Sequence, residues 1–168
     1  VHKVIDQITT DYQRLDPAGA AYFDAQRTTY VNKSLAAYTE LIAAIKSHYA
    51  GTPVGASESI FAPLAQELGL NLITPAGFLN AISEGTDPTA SDKATADAQI
   101  TKKQIKVYVY NSQNATPDVQ AQVDAAKAQG IVITSVTETL APASATFQDW
   151  QVAQLQSLRA ALAKATGK

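Results

Sequence analysis

The chain has no cysteine and no methionine, only two histidines, and a charge balance close to zero, with 13 lysines and arginines against 15 aspartates and glutamates in 168 residues. Without cysteine there is no disulfide, no thiolate metal site and no sulfur nucleophile; the compartment is left open. The near-neutral balance, with no long basic stripe, gives no electrostatic footprint for nucleic acid. No apolar run approaches the ~18 residues that a membrane-spanning helix needs. Neither G-x-G-x-x-G nor G-x-x-x-x-G-K-[ST] occurs, so the glycine-rich cradles for nucleotide phosphates are missing. With no methionine and Val1 opening inside a helical pattern, the chain is expected to be a processed or excised piece of something longer.

What remains is rich in apolar residues, 46% of the chain, too many for a disordered polymer and enough for one ordinary domain with a core. Val1, Val4, Ile5, Ile8, Tyr12 and Leu15 recur at steps of three and four, the spacing of one helix face. Asp16-Pro17 then supplies an N-cap and a proline at the first helical position. From there the stripe Phe23, Arg27, Val31, Leu35, Tyr38, Ile42, Ile45 and Tyr49 predicts one long helix over 17–49, ended by Gly51-Thr52-Pro53.

Beyond residue 50 the pattern alternates. Strands are predicted at 54–57, 71–74, 105–110 and 131–136, and helices at 59–68, 77–83, 91–103, 117–129 and 146–166. Such alternation implies βαβ units. The fold class is therefore α/β, a Rossmann-like lobe with a four-stranded parallel sheet sandwiched by helices, preceded by a long helix. The organisation reads as a linking helical segment over 1–50 and an α/β lobe over 51–168.

In an open parallel sheet, ligands bind outside the carboxyl ends of the strands, near the switch in strand order. Four loops qualify, and two of them carry an acid: Glu58 follows the first strand and Glu138 the fourth. Two carboxylates meeting at one sheet edge repel unless protonated or neutralised by a cation, and a divalent metal suits them. The plainer alternative makes Glu58 an acid at a helix N-terminus and Glu138 a solvated loop acid. A small α/β hydrolase using Ser57, Glu58 or Glu138 is a second class of function, disfavoured because no histidine follows any strand; His2 and His48 both fall in helical segments. The run Asn111-Ser112-Gln113 fits either a ligand contact or a cap for the next helix. Tyr108, Tyr110 and Trp150 read as packing residues.

The run Leu15-Asp16-Pro17-Ala18-Gly19-Ala20-Ala21-Tyr22-Phe23 resembles the start of the long linking helix in the metal-specific solute-binding proteins of zinc and manganese ABC importers. Residues 49–65, around Ser57-Glu58-Ser59, are similar to that family as well. So are Val109-Tyr110-Asn111-Ser112-Gln113, Val136-Thr137-Glu138-Thr139 and residues 147–158, in the same order. The family joins two α/β lobes by one rigid helix and holds its metal between them. The resemblance implies that this chain is the linking helix with the C-terminal lobe of an extracytoplasmic receptor, lipid-anchored at the cell surface or periplasmic. It implies that Glu58 and Glu138 are this lobe's metal ligands, with Zn or Mn as the transported ion and an ABC permease as partner. The N-terminal lobe supplies two histidine ligands in the family, and no counterpart exists here, so binding by this chain alone is expected to be weak or absent. Two carboxylates tilt the choice slightly toward manganese. Left without a partner lobe, the apolar stripe of residues 1–15 predicts a homodimer, exchange of the N-terminal helical segment being one route. Relatives described as adhesins make a matrix-binding or interaction domain the third reading.

Overall fold

The computed structural model describes residues 1–114 and 116–168. The chain divides into two compact units, Val1–Glu40 and Leu41–Lys168.

The first unit is helical. Helix α1 (His2–Leu15) ends at Asp16, whose side chain accepts from the Gly19 N–H at 3.2 Å and so caps a short 3-10 turn, Pro17–Gly19. The proline sits at the start of that turn, as expected of a residue without a donor. Helix α2 (Ala20–Thr29) follows, then a π-helical turn, Tyr30–Ser34. The single helix expected over 17–49 is thus carried in pieces. Leu35 leaves helical geometry (φ −96°, ψ 4°) before α3 (Ala36–Tyr49) begins. A π turn holds an extra residue and so offsets the helical register. After it the buried positions are Leu41, Ile45 and Tyr49, with Ile42 only half-buried.

Helix α1 lies against α2 by its polar side. Asp6 pairs with Arg27, and Gln13 donates to Asp24 at 2.9 Å. Thr9 is the buried residue of α1, its hydroxyl turned to the Ile5 carbonyl. Much of the apolar stripe stays open: Val4 is 62% and Leu15 71% exposed, and Val1 and Ile8 are exposed too, while Ile5 is half-buried and the exposed Tyr12 sets its ring 5.4 Å from that of Phe23 in α2.

The second unit is the α/β lobe. Strands β1 (Pro53–Ala56), β2 (Asn71–Leu72), β3 (Val107–Asn111) and β4 (Val132–Val136) form one parallel sheet in the order β2-β1-β3-β4. Val54 pairs with both Leu72 and Val107, and Asn111 pairs with Val136. The helices between strands are α4 (Ala62–Glu67), α5 (Ala76–Ser83), α6 (Ala90–Thr101) and α7 (Pro117–Ala128), with α8 (Phe147–Thr166) closing the chain. Gly69 and Gly130 take positive φ just beyond α4 and α7, where a left-handed residue stops a helix without a Cβ penalty. Gly55 is tightly packed: a Cβ there would stand 2.8 Å from Ile105 Cδ1, and the end of that side chain would have to shift to admit it.

The core of this lobe is Val54, Phe61, Phe78, Val107, Val109, Val123 and the inner face of α8 (Leu155, Leu158, Ala161, Leu162). Each fully buried aliphatic side chain contributes ~1.5–3 kcal/mol by leaving water. Helices α7 and α8 both lie against β3 and β4, and this packing rigidly orients the loop ends of those strands.

Candidate metal centre

The strand order runs outward from the middle in two directions: β1 leads to β2 on one side, and β3 leads to β4 on the other. The crevice beyond the carboxyl ends of β1 and β3 is therefore the switch point of the sheet. Glu58 stands two residues past β1, Asn111 is the last residue of β3, and Glu138 stands two residues past β4.

Asn111 connects the two acids. Its Nδ2 donates to Glu58 Oε2 and to Glu138 Oε1, each at 3.1 Å. Both oxygens are thus held one hydrogen bond away from the same nitrogen. An amide NH2 has two hydrogens, and both are spent here. The amide's orientation is set from its other end, because Asn111 Oδ1 accepts from the Gln113 N–H at 2.9 Å. The Asn111 N–H donates to Ser57 Oγ at 3.0 Å, and the Ser57 N–H donates to the Val109 carbonyl at 2.9 Å. Ser57 and Asn111 lock the ends of β1 and β3 together, and both are buried.

The acids differ in surroundings. Glu58 is 2% exposed and extended (φ −146°, ψ 161°), and its side chain makes no capping bond to the short 3-10 turn Ser59–Phe61 that follows. Its second oxygen, Oε1, is buried and finds no hydrogen-bond partner among the described residues. Leaving a buried carboxylate oxygen unpaired costs ~1–3 kcal/mol or more. Glu138 is exposed, but its loop is tightly held. Gln113 Oε1 accepts from the N–H groups of Glu138 (2.9 Å) and Thr139 (3.1 Å), while Gln113 Nε2 donates to Thr139 Oγ1 at 2.6 Å. From the other side, Gln154 Oε1 accepts from the Thr137 N–H at 2.7 Å. Among the described residues, no lysine or arginine pairs with either acid. No group of three or more histidine, cysteine, aspartate and glutamate side chains assembles among them either. Two acids and an amide are what this lobe brings to the crevice.

The run Asn111-Ser112-Gln113, read from sequence as ligand contact or helix cap, does the work of a brace. The cap of α7 is Thr116, whose hydroxyl accepts from the Val119 N–H. Trp150, read as packing alone, also donates its indole N–H to Thr137. The bond between Thr137 and Gln154 was not anticipated: in the sequence Gln154 is one polar residue among several on α8. Tyr108 is in the core as expected, with its hydroxyl donating to Gln122 Oε1 at 2.6 Å. Burial, then the charges of Asp97 and Glu58, hold that hydroxyl well above its ordinary pKa. Ser57 Oγ is buried under the Asn111 N–H, and His2 and His48 lie in α1 and α3.

A family profile described as zinc-uptake complex component A, periplasmic, matches residues 1–161. No curated protein matches the sequence. Among solved structures, a manganese-bound periplasmic metal binding protein from Candidatus Liberibacter asiaticus (a serine-to-alanine variant) superposes with a TM-score of 0.73 at 18% identity, over 94% of this chain and 58% of the other. The substrate-binding protein FpvC from Pseudomonas aeruginosa, in complex with Ni2+, gives a TM-score of 0.70 at 16% identity over 96% and 58%. The laminin-binding protein Lbp of Streptococcus pyogenes gives 0.66 at 15% identity over 92% and 57%. The chain spans a little under three fifths of the length of each.

Proposed function

The chain belongs to the zinc-uptake complex component A family, and from that premise we propose that it acts as the carboxyl-terminal lobe of an extracytoplasmic substrate-binding component of a divalent-metal importer. Glu58 and Glu138 supply carboxylate oxygens to the metal cargo. The observation that carries this reading is the single amide of Asn111 joining both acids at the sheet's switch point, beside a buried Glu58 oxygen without a partner. Carboxylate oxygens suit manganese and zinc alike, and a site with two of them leans to manganese. By the Irving–Williams order zinc binds the tighter of the two when both are offered.

The lobe's task is to bind and hand over. A cation arriving in the crevice neutralises the two acids and takes up the unpaired Glu58 oxygen. The remaining coordination positions are filled from outside this chain, by imidazoles of a second lobe, which closes the site. A closed ligand set without an activated water does no hydrolysis. The burial of Ser57 and the placing of both histidines in helices, neither of them after a strand, support binding over catalysis. The importer's permease is the partner that accepts the ion. The setting is extracytoplasmic, at the cell surface or in a periplasm. The exposed apolar side of α1 is an association surface, and in the isolated chain it drives dimerisation.

The test is calorimetry with Mn2+ and Zn2+. The 168-residue chain binds weakly. The longer protein, in which this lobe is paired with a histidine-bearing one, binds tightly, and Glu58→Ala or Glu138→Ala removes that binding. Undiminished affinity in both variants overturns the assignment.

A further inference from the structure

Two carboxylates brought to one sheet edge repel one another. In this lobe the repulsion is answered by an uncharged group, since no lysine or arginine among the described residues pairs with either acid. Asn111 is 2% exposed and every polar atom of its amide is engaged. It sits at the end of β3 in register with Val136, and its own N–H is tied to Ser57. The amide is therefore a rigid fitting of the sheet.

Resting on the assignment of Glu58 and Glu138 as ligands, we infer that Asn111 and Gln113 are the positioning residues of the site. Asn111 fixes one oxygen of each acid and leaves Glu58 Oε1 to the cation. Gln113 fixes the backbone of Glu138 through its side-chain carbonyl. Its main-chain N–H meanwhile orients the Asn111 amide, so that the NH2 and not the oxygen faces the acids. One three-residue turn thus sets the position of one acid directly and of the other both directly and through its loop. Outer groups that orient ligands in this way are typically worth 10–100-fold in metal affinity. They act by holding the ligands in place before the ion arrives.

The experiment follows Mn2+ alone, added to the 168-residue chain, through the paramagnetic broadening of its amide resonances, which reports weak binding residue by residue. Asn111→Ala and Gln113→Ala weaken Mn2+ binding by about tenfold or more. Asn111→Asp, of the same shape, replaces the donor by a third carboxylate and binds Mn2+ more tightly than the parent chain. The opposite signs are the signature: a role confined to holding the fold moves both Asn111 variants in the same direction or moves neither. Either of those results overturns the inference. Gln113 is exposed, so its variant folds and decides the matter if the Asn111 variants do not; unchanged affinity in Gln113→Ala is then the overturning result. Glu58→Gln and Glu138→Gln separate the two levels. If they bind Mn2+ like the parent, the ligand assignment falls and the positioning role with it. If they lose binding while the Asn111 and Gln113 variants keep it, only the positioning role falls.

Discussion

The indole N–H of Trp150 donates to the Thr137 hydroxyl across 2.8 Å, and that hydroxyl donates in turn to the Thr139 carbonyl at 2.9 Å. The first turn of α8 therefore holds both residues that flank Glu138. A loop acid on the surface acquires a defined position because a helix begun nine residues later reaches back to it.

Trp150→Phe keeps most of the ring and removes the donor. The lost hydrogen bond lowers stability by ~1 kcal/mol, read by urea denaturation at constant slope. A change of only a tenth or two would mean that the indole contributes by packing alone.

Tyr108→Phe removes a buried hydroxyl and strands Gln122 Oε1, which then keeps only the bond from its own Nε2 to Asp97 to orient the side chain. The expected loss is ~1–3 kcal/mol, because a buried acceptor is left unsatisfied. The native protein also carries a pH signature. The Tyr108 pKa is raised in the folded state, first by burial, so the folded chain holds this proton more tightly than the unfolded one. Its contribution to stability is complete below the ordinary tyrosine value of 10.0 and declines as pH rises above it. Alkaline denaturation of the phenylalanine variant, compared with the parent, isolates that decline.

Lys93 joins α6 to α7 through Asp118 at 3.0 Å, and the hydrogen bond to Asp118 is the main cause of its raised pKa. Both side chains are about two fifths exposed, so solvent screens the pair. Lys93→Ala costs no more than ~0.5 kcal/mol. A double-mutant cycle with Asp118→Ala that returned a coupling well above 1 kcal/mol would contradict this.

The exposed apolar residues of α1 are expected to drive self-association of the isolated chain. Light scattering behind size-exclusion chromatography shows a dimer for the parent and a monomer for Val4→Lys combined with Ile8→Lys. A parent that stays monomeric at every concentration defeats the expectation.

Much of the lobe is legible in its sequence because it is locally encoded. Val107 to Tyr110 alternate valine and tyrosine, which suits a strand buried on both faces, and Thr116-Pro117 and Thr146 mark helix starts. Strand and helix limits fall within a few residues of the expected ones. The short 3-10 turn after Glu58 and the π turn after Thr29 were not legible, since neither has a strong local signal and both answer to packing. The candidate acids were legible as two carboxylates following two strands. Their brace was not: Asn111 and Gln113 are ordinary polar residues at and just beyond the end of a third strand, and nothing in their own neighbourhood says which loops they will face.

By itself the sequence determined the alternation of strands and helices, the parallel sheet, and the placing of an acid just beyond the first and the last strand, because periodicity and caps act over a few residues. The tertiary structure alone decided that β1 lies beside β3, which brings Asn111 between Glu58 and Glu138, and that α1 turns its polar side to α2. Strand order and helix facing are settled by contacts between residues distant along the chain, which no local pattern carries.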